Sequence, residues 1–226
     1  VAPVYKDVLS LWKNSKTGYT PTLIVNYAGI SGEYYWYQKS NVWENKTLLK
    51  YTPRFVIDTR SRHRMMIPEA EYKNGHILTS QTVTALANKG VKVNLGAHGQ
   101  LQGLGAHWEL WMLQQGGMSN YQALEAATIN GAAYIGVDDE IGSLKKGKLA
   151  DLIVLDKNPL VNIQNSNSVI YTMINGRLYD VNTMNEVGNH DKKRTKFYWE
   201  NGNFNQGVPV NMKTNSFTRP TCSCHN

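Results

Sequence analysis

Hydrophobic positions in the first part of the chain follow helical and strand-like spacings in alternation. Apolar residues at helical spacing predict a short helix over residues 4–15, and the compact apolar run 20–26 predicts a buried strand. A second strand is predicted at 91–95, after a helix over 68–88 that ends before a glycine. Residues 27–51 show neither spacing and are predicted to form a long loop. The alternation of strands and helices is typical of parallel α/β units.

The second half of the chain changes from helical to strand spacing. Its predicted elements are helices over about 106–115 and 119–135, followed by strands over 152–155, 168–174 and 177–180. The last two strands flank Asn175-Gly176, a dipeptide that strongly favours a tight hairpin turn. Residues 183–226 lack a clear period, so an irregular tail is expected there. Its final residues include Cys222, Cys224 and His225, which form either a plain tail or part of a metal or redox site.

The composition indicates a folded protein and limits the kinds of partner that are expected. Hydrophobic residues make up 41% and charged residues 18% of the 226 residues, which argues against intrinsic disorder. No apolar run approaches the roughly 18 residues of a membrane span, so no membrane partner is expected. The net charge is +7, but the basic residues are scattered apart from the run 192–196, so no nucleic-acid partner is expected. The aromatic run 34–37 is expected either to line a binding cleft or to pack in the core.

The glycine-rich segment 95–109 carries the clearest indication of chemistry. It follows the predicted strand 91–95 and places His98 at the C-terminal end of that strand, the edge at which ligands bind in parallel α/β folds. An imidazole there suits zinc and similar metals. His107 and Glu109 are two residues apart and therefore do not share a helix face. A structural alternative stays open, in which His98 hydrogen-bonds the loop and Glu109 caps the helix.

The stretch 141–156 has the sequence Ile-Gly-Ser-Leu-Lys-Lys-Gly-Lys-Leu-Ala-Asp-Leu-Ile-Val-Leu-Asp. This ordered stretch resembles the C-terminal signature of the amidohydrolase superfamily. The segment 127–132, Ala-Thr-Ile-Asn-Gly-Ala, is similar to the helix before that signature, and 169–180 is similar to the last strands after it. The segments 20–32 and 96–111 resemble in particular the imidazolonepropionase-like branch, whose members often carry a β-propeller before the hydrolase.

The resemblance implies an α/β fold, namely the C-terminal part of a TIM-type (β/α)8 barrel followed by part of a small β-sandwich. It assigns residues 1–138 to the barrel, 139–182 to the β-sandwich and 183–226 to an irregular C-terminal tail. The predicted strands 20–26 and 91–95 are then the seventh and eighth of the barrel. A complete barrel needs about 250 residues. Since the chain also begins without Met and without a signal-peptide pattern, we expect a piece of a longer enzyme, with a processed product as the alternative.

The resemblance also implies a metal site. Members of this superfamily bind one or two divalent metals, and a metal-bound hydroxide attacks the substrate carbonyl. Their eighth strand usually ends in Gly-Thr-Asp or Gly-Ser-Asp, where this chain has Gly96-Ala97-His98. His98 is therefore the expected catalytic and metal-ligating residue, zinc is the expected metal, and a neutral imidazole would add no negative charge there. The first-strand ligand pair of the family, His-x-His, does not occur in the sequence. Substrate contacts are expected from Tyr27, Gln100, His107 and Glu109.

The function implied by the resemblance is that of the C-terminal portion of a metal-dependent amidohydrolase. It would hydrolyse a non-peptide C–N bond, an amide or a cyclic amidine, through a metal-activated water. The alternatives are a peptidase-like member of the same superfamily and a non-catalytic binding module on a degenerate amidohydrolase fragment. The expected partners are a small-molecule substrate, the missing N-terminal half of the barrel and a β-propeller in the parent chain. Alone, the chain is expected to be inactive, and poorly soluble or homo-oligomeric, because two strands expose a sheet edge. Propeller-bearing relatives favour a periplasmic or secreted location.

Overall fold

The computed structural model describes residues 6–25, 31–53, 56–57, 66–98 and 101–201. The described α-helices are α1 (Lys6–Ser15), α2 (Ser31–Lys39), α3 (Lys46–Tyr51), α4 (Glu69–Tyr72), α5 (Leu78–Asn88), α6 (Leu104–Gln115), α7 (Asn120–Ala126) and α8 (Ile129–Tyr134). Short 3-10 turns cover Leu23–Val25, Val42–Glu44, Ile163–Asn167 and Tyr198–Asn201, and a π-helical turn covers Lys73–Ile77. The strands are β1 (Leu152–Leu155), β2 (Val169–Ile174), β3 (Arg177–Asp180) and β4 (Glu186–Val187).

A continuous helical stretch runs from α4 to α5, which confirms the predicted helix over 68–88. Pro68 precedes its first turn, where the missing N–H of proline costs no helical hydrogen bond. The π-helical turn connects the two helices, and its residues Gly75 and His76 are buried. Such turns are rare inside helices and widen the backbone by one residue.

The loop predicted over 27–51 is wrong where the structure describes it, because α2 and α3 lie within it. All four residues of the aromatic run 34–37 are buried in α2. A helix that is enclosed on every side has no polar face, so its sequence lacks the spacing that identifies an amphipathic helix. The side chains of Asn41 and Asn45 begin the next two turns by accepting backbone N–H groups. The aromatic run is therefore part of the core.

The strand predicted at 20–26 is also wrong, since Leu23–Val25 forms a 3-10 turn. The preceding residue Tyr19 makes a single parallel bridge with Val93. The strand predicted at 91–95 is present in the structure only as this one bridge, so that prediction is wrong over the rest of its length. Pairing ends soon afterwards because Thr22 has a left-handed backbone (φ +49°), which turns the chain out of the extended conformation. The two segments nevertheless run parallel and side by side.

Helices α7 and α8 divide the helix predicted over 119–135. Ser119 begins α7 with a reciprocal cap, in which its hydroxyl accepts the backbone N–H of Gln122 and the Gln122 side chain accepts the N–H of Ser119. Thr128 separates the two helices because its backbone (φ −136°, ψ −96°) is not helical.

The four strands form one antiparallel sheet in the order β1-β2-β3-β4. The predicted hairpin is confirmed, since β2 and β3 pair and Asn175 and Gly176 between them have φ values of +48° and +77°, as a type I′ turn requires. Residues 183–201, which were expected to be irregular, contain β4 and an ion pair of 2.5 Å between Arg194 and Glu200.

The hydrophobic core surrounds α6, in which seven residues are buried. Trp108 of α6 is fully enclosed; its ring stacks on Trp36 at 6.3 Å and meets the edge of Tyr37 at 5.4 Å. None of the described helices combines the length and apolar character of a membrane span.

Candidate functional site

The candidate site lies where the two parallel segments end. The backbone N–H of Tyr19 donates to the carbonyl of Lys92 at 2.8 Å, and the N–H of Asn94 donates to the carbonyl of Tyr19 at 2.8 Å. One step further along, the Asn94 side-chain amide donates to the hydroxyl of Thr20 at 3.3 Å. These bonds hold both segments in one direction, so that their C-terminal ends share an edge.

Beyond this pairing the two segments approach very closely and then turn. A Cβ atom on Gly96 would lie 2.6 Å from the methyl group of Thr20 and 2.7 Å from the hydroxyl of Thr22, so only glycine fits there. Both ends then pass through left-handed residues, Thr22 (φ +49°) and His98 (φ +53°). A β-branched residue in this conformation is a genuine outlier, and such strain clusters at functional sites. His98 is exposed at this edge, and its assignment as metal ligand and catalytic residue stays a prediction.

Glu109 lies inside α6 and binds the first of the two turns. Its side chain is fully buried, with one carboxylate oxygen accepting the backbone N–H of Leu23 at 2.7 Å and the other accepting that of Ile24 at 2.8 Å. Burial raises the pKa of Glu109 to about 8, although the two backbone donors act in the opposite direction. Burial, and secondly the Glu109 carboxylate, raise the pKa of Tyr19. Glu109 therefore caps a turn distant in the sequence and not its own helix.

His107 has a different set of contacts. Its Nδ1 lies 3.1 Å from the hydroxyl oxygen of Ser166, which also accepts the indole N–H of Trp111 at 3.0 Å. Because Ser166 belongs to the 3-10 turn Ile163–Asn167, this group joins α6 to the β-rich part of the chain. Burial lowers the pKa of His107. The sequence spacing of His107 and Glu109 indicated different faces, and their separate partners agree with that expectation.

The remaining predicted residues lie outside the described residues. This applies to the expected substrate contacts Tyr27 and Gln100, and to Cys222, Cys224 and His225 of the C-terminal tail.

Among the described residues, one is suited to bind a metal at this edge. His98 is exposed at the end of its parallel segment, and its imidazole is a suitable zinc ligand. Catalytic zinc sites usually have three protein ligands. In the part of the chain that the structure describes, no group of three or more His, Cys, Asp or Glu side chains is placed to hold a metal ion.

A cleft of about 800 Å³ lies elsewhere, beside α7 and α8. Its lining includes both acidic and basic residues, among them Glu125, Asp138 and Lys145, and none of the site residues predicted from the sequence. The shared end of the two parallel segments is a better candidate for chemistry. It combines a close approach of the two backbones, left-handed residues and an exposed histidine.

Sequence reasoning missed two groups that organise this region. The backbone N–H groups of Leu23 and Ile24 carry no residue-type signal, and Ser166 lies 59 residues from its partner His107. The apolar run that follows Glu109 in α6 was a usable signal, since a carboxylate beside Trp108, Leu110 and other large apolar residues must find internal donors.

A sequence model of the amidohydrolase family matches residues 57–179, more than half of the 226 residues. The matched range includes the parallel segment that ends at His98, helix α6 and strands β1 and β2.

Two curated proteins resemble shorter parts of the chain. The 5-methylthioadenosine/S-adenosylhomocysteine deaminase of Teredinibacter turnerae is 37% identical over 87 residues, which cover 34% of this chain and 20% of that protein. The imidazolonepropionase of Symbiobacterium thermophilum is 56% identical over 39 residues, which cover 17% of this chain and 9% of that protein. The matches thus span a fifth or less of the length of these two relatives.

Solved structures share the fold over a longer stretch. A Xaa-Pro dipeptidase with methionine bound in its active site superposes with a TM-score of 0.53 at 24% identity, covering 78% of this chain and 38% of that chain. A prolidase complexed with N-methylphosphonate-L-proline superposes with a TM-score of 0.51 at 21% identity over the same shares. The likeness shows that the chain has the α/β fold of part of these proteins.

Proposed function

The chain belongs to the amidohydrolase family, and on that premise we propose that it forms the C-terminal part of a hydrolase acting on carbon–nitrogen bonds. The observation that carries this proposal is the continuous family match over residues 57–179, which joins the candidate edge to the β-rich region. The deaminase and imidazolonepropionase relatives support a C–N bond as the target. The resemblance to imidazolonepropionases supports an amide or a cyclic amidine as the group that contains this bond.

In this proposal residues 1–138 contribute the last two units of a TIM-type barrel, and residues 139–182 contribute part of a small β-sandwich. The parallel bridge between Tyr19 and Val93 supports the barrel assignment, because adjacent barrel strands are parallel. The antiparallel sheet β1-β2-β3-β4 supports the second assignment. The Ser166 hydroxyl, which accepts from the Trp111 indole and shares a hydrogen bond with His107, would keep the two parts in fixed contact.

His98 is the described residue that we propose to hold a divalent metal, with zinc as the preferred ion. Its position at the C-terminal edge of parallel segments supports this role, since active sites of barrel enzymes lie at that edge. The further ligands would come from residues outside the described ones. The chemistry that such a metal supplies when bound is activation of water for attack on the carbonyl or amidine carbon. Tyr27 and Gln100, which follow the two parallel segments in the sequence, are proposed to orient the substrate.

The test uses the complete gene product, with His98→Ala and His190→Ala as a matched pair of exposed histidines. Metal content is measured by mass spectrometry, and hydrolysis is assayed on an N-acyl amide, a cyclic amidine, an aminopurine and a Pro-containing dipeptide. His98→Ala is expected to lose bound metal and about a hundredfold or more in kcat, whereas His190→Ala keeps both. Full activity and full metal content in His98→Ala would overturn the assignment.

The same substrate set separates the alternatives. Exclusive hydrolysis of the dipeptide would favour the peptidase-like member, and no hydrolysis of any substrate by the metal-loaded protein would favour the binding module. Two features favoured the binding module: the aromatic run 34–37 and the absence of His-x-His from the sequence. The first no longer supports it, because the run is buried and presents no aromatic surface.

A further inference from the structure

Glu109 makes buried contacts beside the candidate edge that the proposed chemistry does not use. We propose that Glu109 is a positioning residue, which holds the turn at residues 22–24 against the neighbouring segment that ends at His98, and so sets the place of His98. This inference rests on the proposed function for the reaction that the edge performs. It differs from a substrate-binding role, because the carboxylate faces protein backbone on both oxygens.

The first argument is the geometry of the carboxylate. Two consecutive backbone N–H groups, of Leu23 and Ile24, each donate to a different oxygen of Glu109. These N–H groups open a 3-10 turn and have no partner within it, so the carboxylate satisfies donors that would otherwise be buried and unpaired. A buried carboxylate is expensive unless it is bonded in this way. The carboxylate therefore satisfies the N–H groups of the turn, and these N–H groups in turn offset the cost of burying the carboxylate.

The second argument is the strain next to the turn. Thr22 holds φ +49° immediately before the two bonded amides, and a β-branched residue leaves this conformation readily unless its surroundings over-determine it. The hydroxyl of Thr22 lies against Gly96, two residues before His98. Movement of the turn would thus change the contact that defines the end of the His98 segment.

The test of the contact is hydrogen exchange of the complete gene product at pH 9, where Glu109 with its pKa of about 8 is ionised, followed by mass spectrometry of the peptide that contains Leu23 and Ile24. In Glu109→Gln the side-chain NH2 group would face one of the two N–H donors, so exchange of these amides is expected to rise about tenfold or more while that of α5 stays unchanged. Glu33→Gln, a second buried carboxylate that accepts from Tyr37 within α2, is the matched control and is expected to leave Leu23 and Ile24 protected. Unchanged exchange in Glu109→Gln, or an equal rise in α5, would overturn the proposal.

The positioning role is tested separately by kinetics. In folded Glu109→Gln, kcat is expected to fall tenfold to about a hundredfold with KM nearly unchanged, and Glu109→Asp is expected to recover part of the loss. Faster exchange together with wild-type kcat would overturn the positioning role. If Glu109→Gln does not fold, Glu109→Asp carries the exchange test with a smaller but measurable expected rise, because its shorter side chain does not reach both amides at once. An inactive wild-type protein would contradict the proposed function, whereas the exchange result would still decide the contact.

Discussion

Gly116 ends α6 where this helix meets α5, and Gly116→Ala is expected to force the two helices apart. A Cβ atom there would lie 2.2 Å from the hydroxyl oxygen of Ser80, and 2.3 and 2.4 Å from its backbone C and O atoms. Backbone atoms cannot rotate away, so reaching an ordinary contact of 3.4 Å requires a shift of about 1 Å. The shift would also stretch the 2.6 Å hydrogen bond from Ser80 to the carbonyl of Met112.

The magnitude follows from two opposing effects. Overpacking by a methyl group costs about 1–3 kcal/mol, and the upper end applies because the clash is with backbone. The lower backbone entropy of alanine offsets up to about 1 kcal/mol. The conformation itself adds no strain, since Gly116 has φ −78° and ψ 0°. The net destabilisation is therefore about 2 kcal/mol, which corresponds to a Tm about 4–8 °C lower for a chain of this size.

The assay is thermal unfolding followed by circular dichroism, with Gly131→Ala as the matched control. Gly131 lies in α8 and a Cβ atom on it would meet no atom within 4 Å. Its substitution is expected to leave Tm unchanged or to raise it, because alanine favours the helix by about 0.5–1 kcal/mol. A Tm for Gly116→Ala equal to that of wild type would refute the reasoning about the α5–α6 contact.

Two further expectations concern buried polar side chains. His76 has no hydrogen-bond partner for either ring nitrogen among the described residues, and burial lowers its pKa to about 4. The unfolded chain binds this proton near pH 6.5, so about 3 kcal/mol of stability should be present above that pH and lost as pH falls to about 4. Urea unfolding at pH 7 and pH 5 checks this; His76→Leu should show the smaller pH dependence, and equal dependence contradicts it. Ser166→Ala removes the shared partner of His107 and Trp111 and should cost about 1–3 kcal/mol, whereas Ser143→Ala, whose hydroxyl has no partner among the described residues, should cost little. Equal stability of these two serine variants would count against the bridge.

Elements with local signals were predictable. The hairpin at Asn175-Gly176 depends on two residues that tolerate positive φ, and the start of α7 depends on Ser119 and Gln122, three residues apart. In each case the deciding interaction lies within one turn of the chain. The order of residues 141–156 likewise carried the family resemblance without any knowledge of contacts.

Elements whose stability comes from distant parts of the chain were not predictable. Residues 32–37 of helix α2 are all buried, so the sequence there has no polar face to mark a helix. The apolar run 20–26 is predicted as a strand, but its residues Leu23–Val25 form a 3-10 turn. That run turns at Thr22 because Glu109, 86 residues from Leu23, supplies the acceptors for a 3-10 turn. Neighbouring residues alone do not reveal such an acceptor.

The sequence by itself determined the family and the hairpin, because each depends on residue types in a fixed local order. Only the tertiary structure decided which groups His107 and Glu109 bind. It showed that His107 joins α6 to the β-rich region and that Glu109 binds the turn beside the site. The physical reason is that a buried polar group takes whichever donor or acceptor the fold brings within about 3 Å, and that partner is set by packing of distant segments.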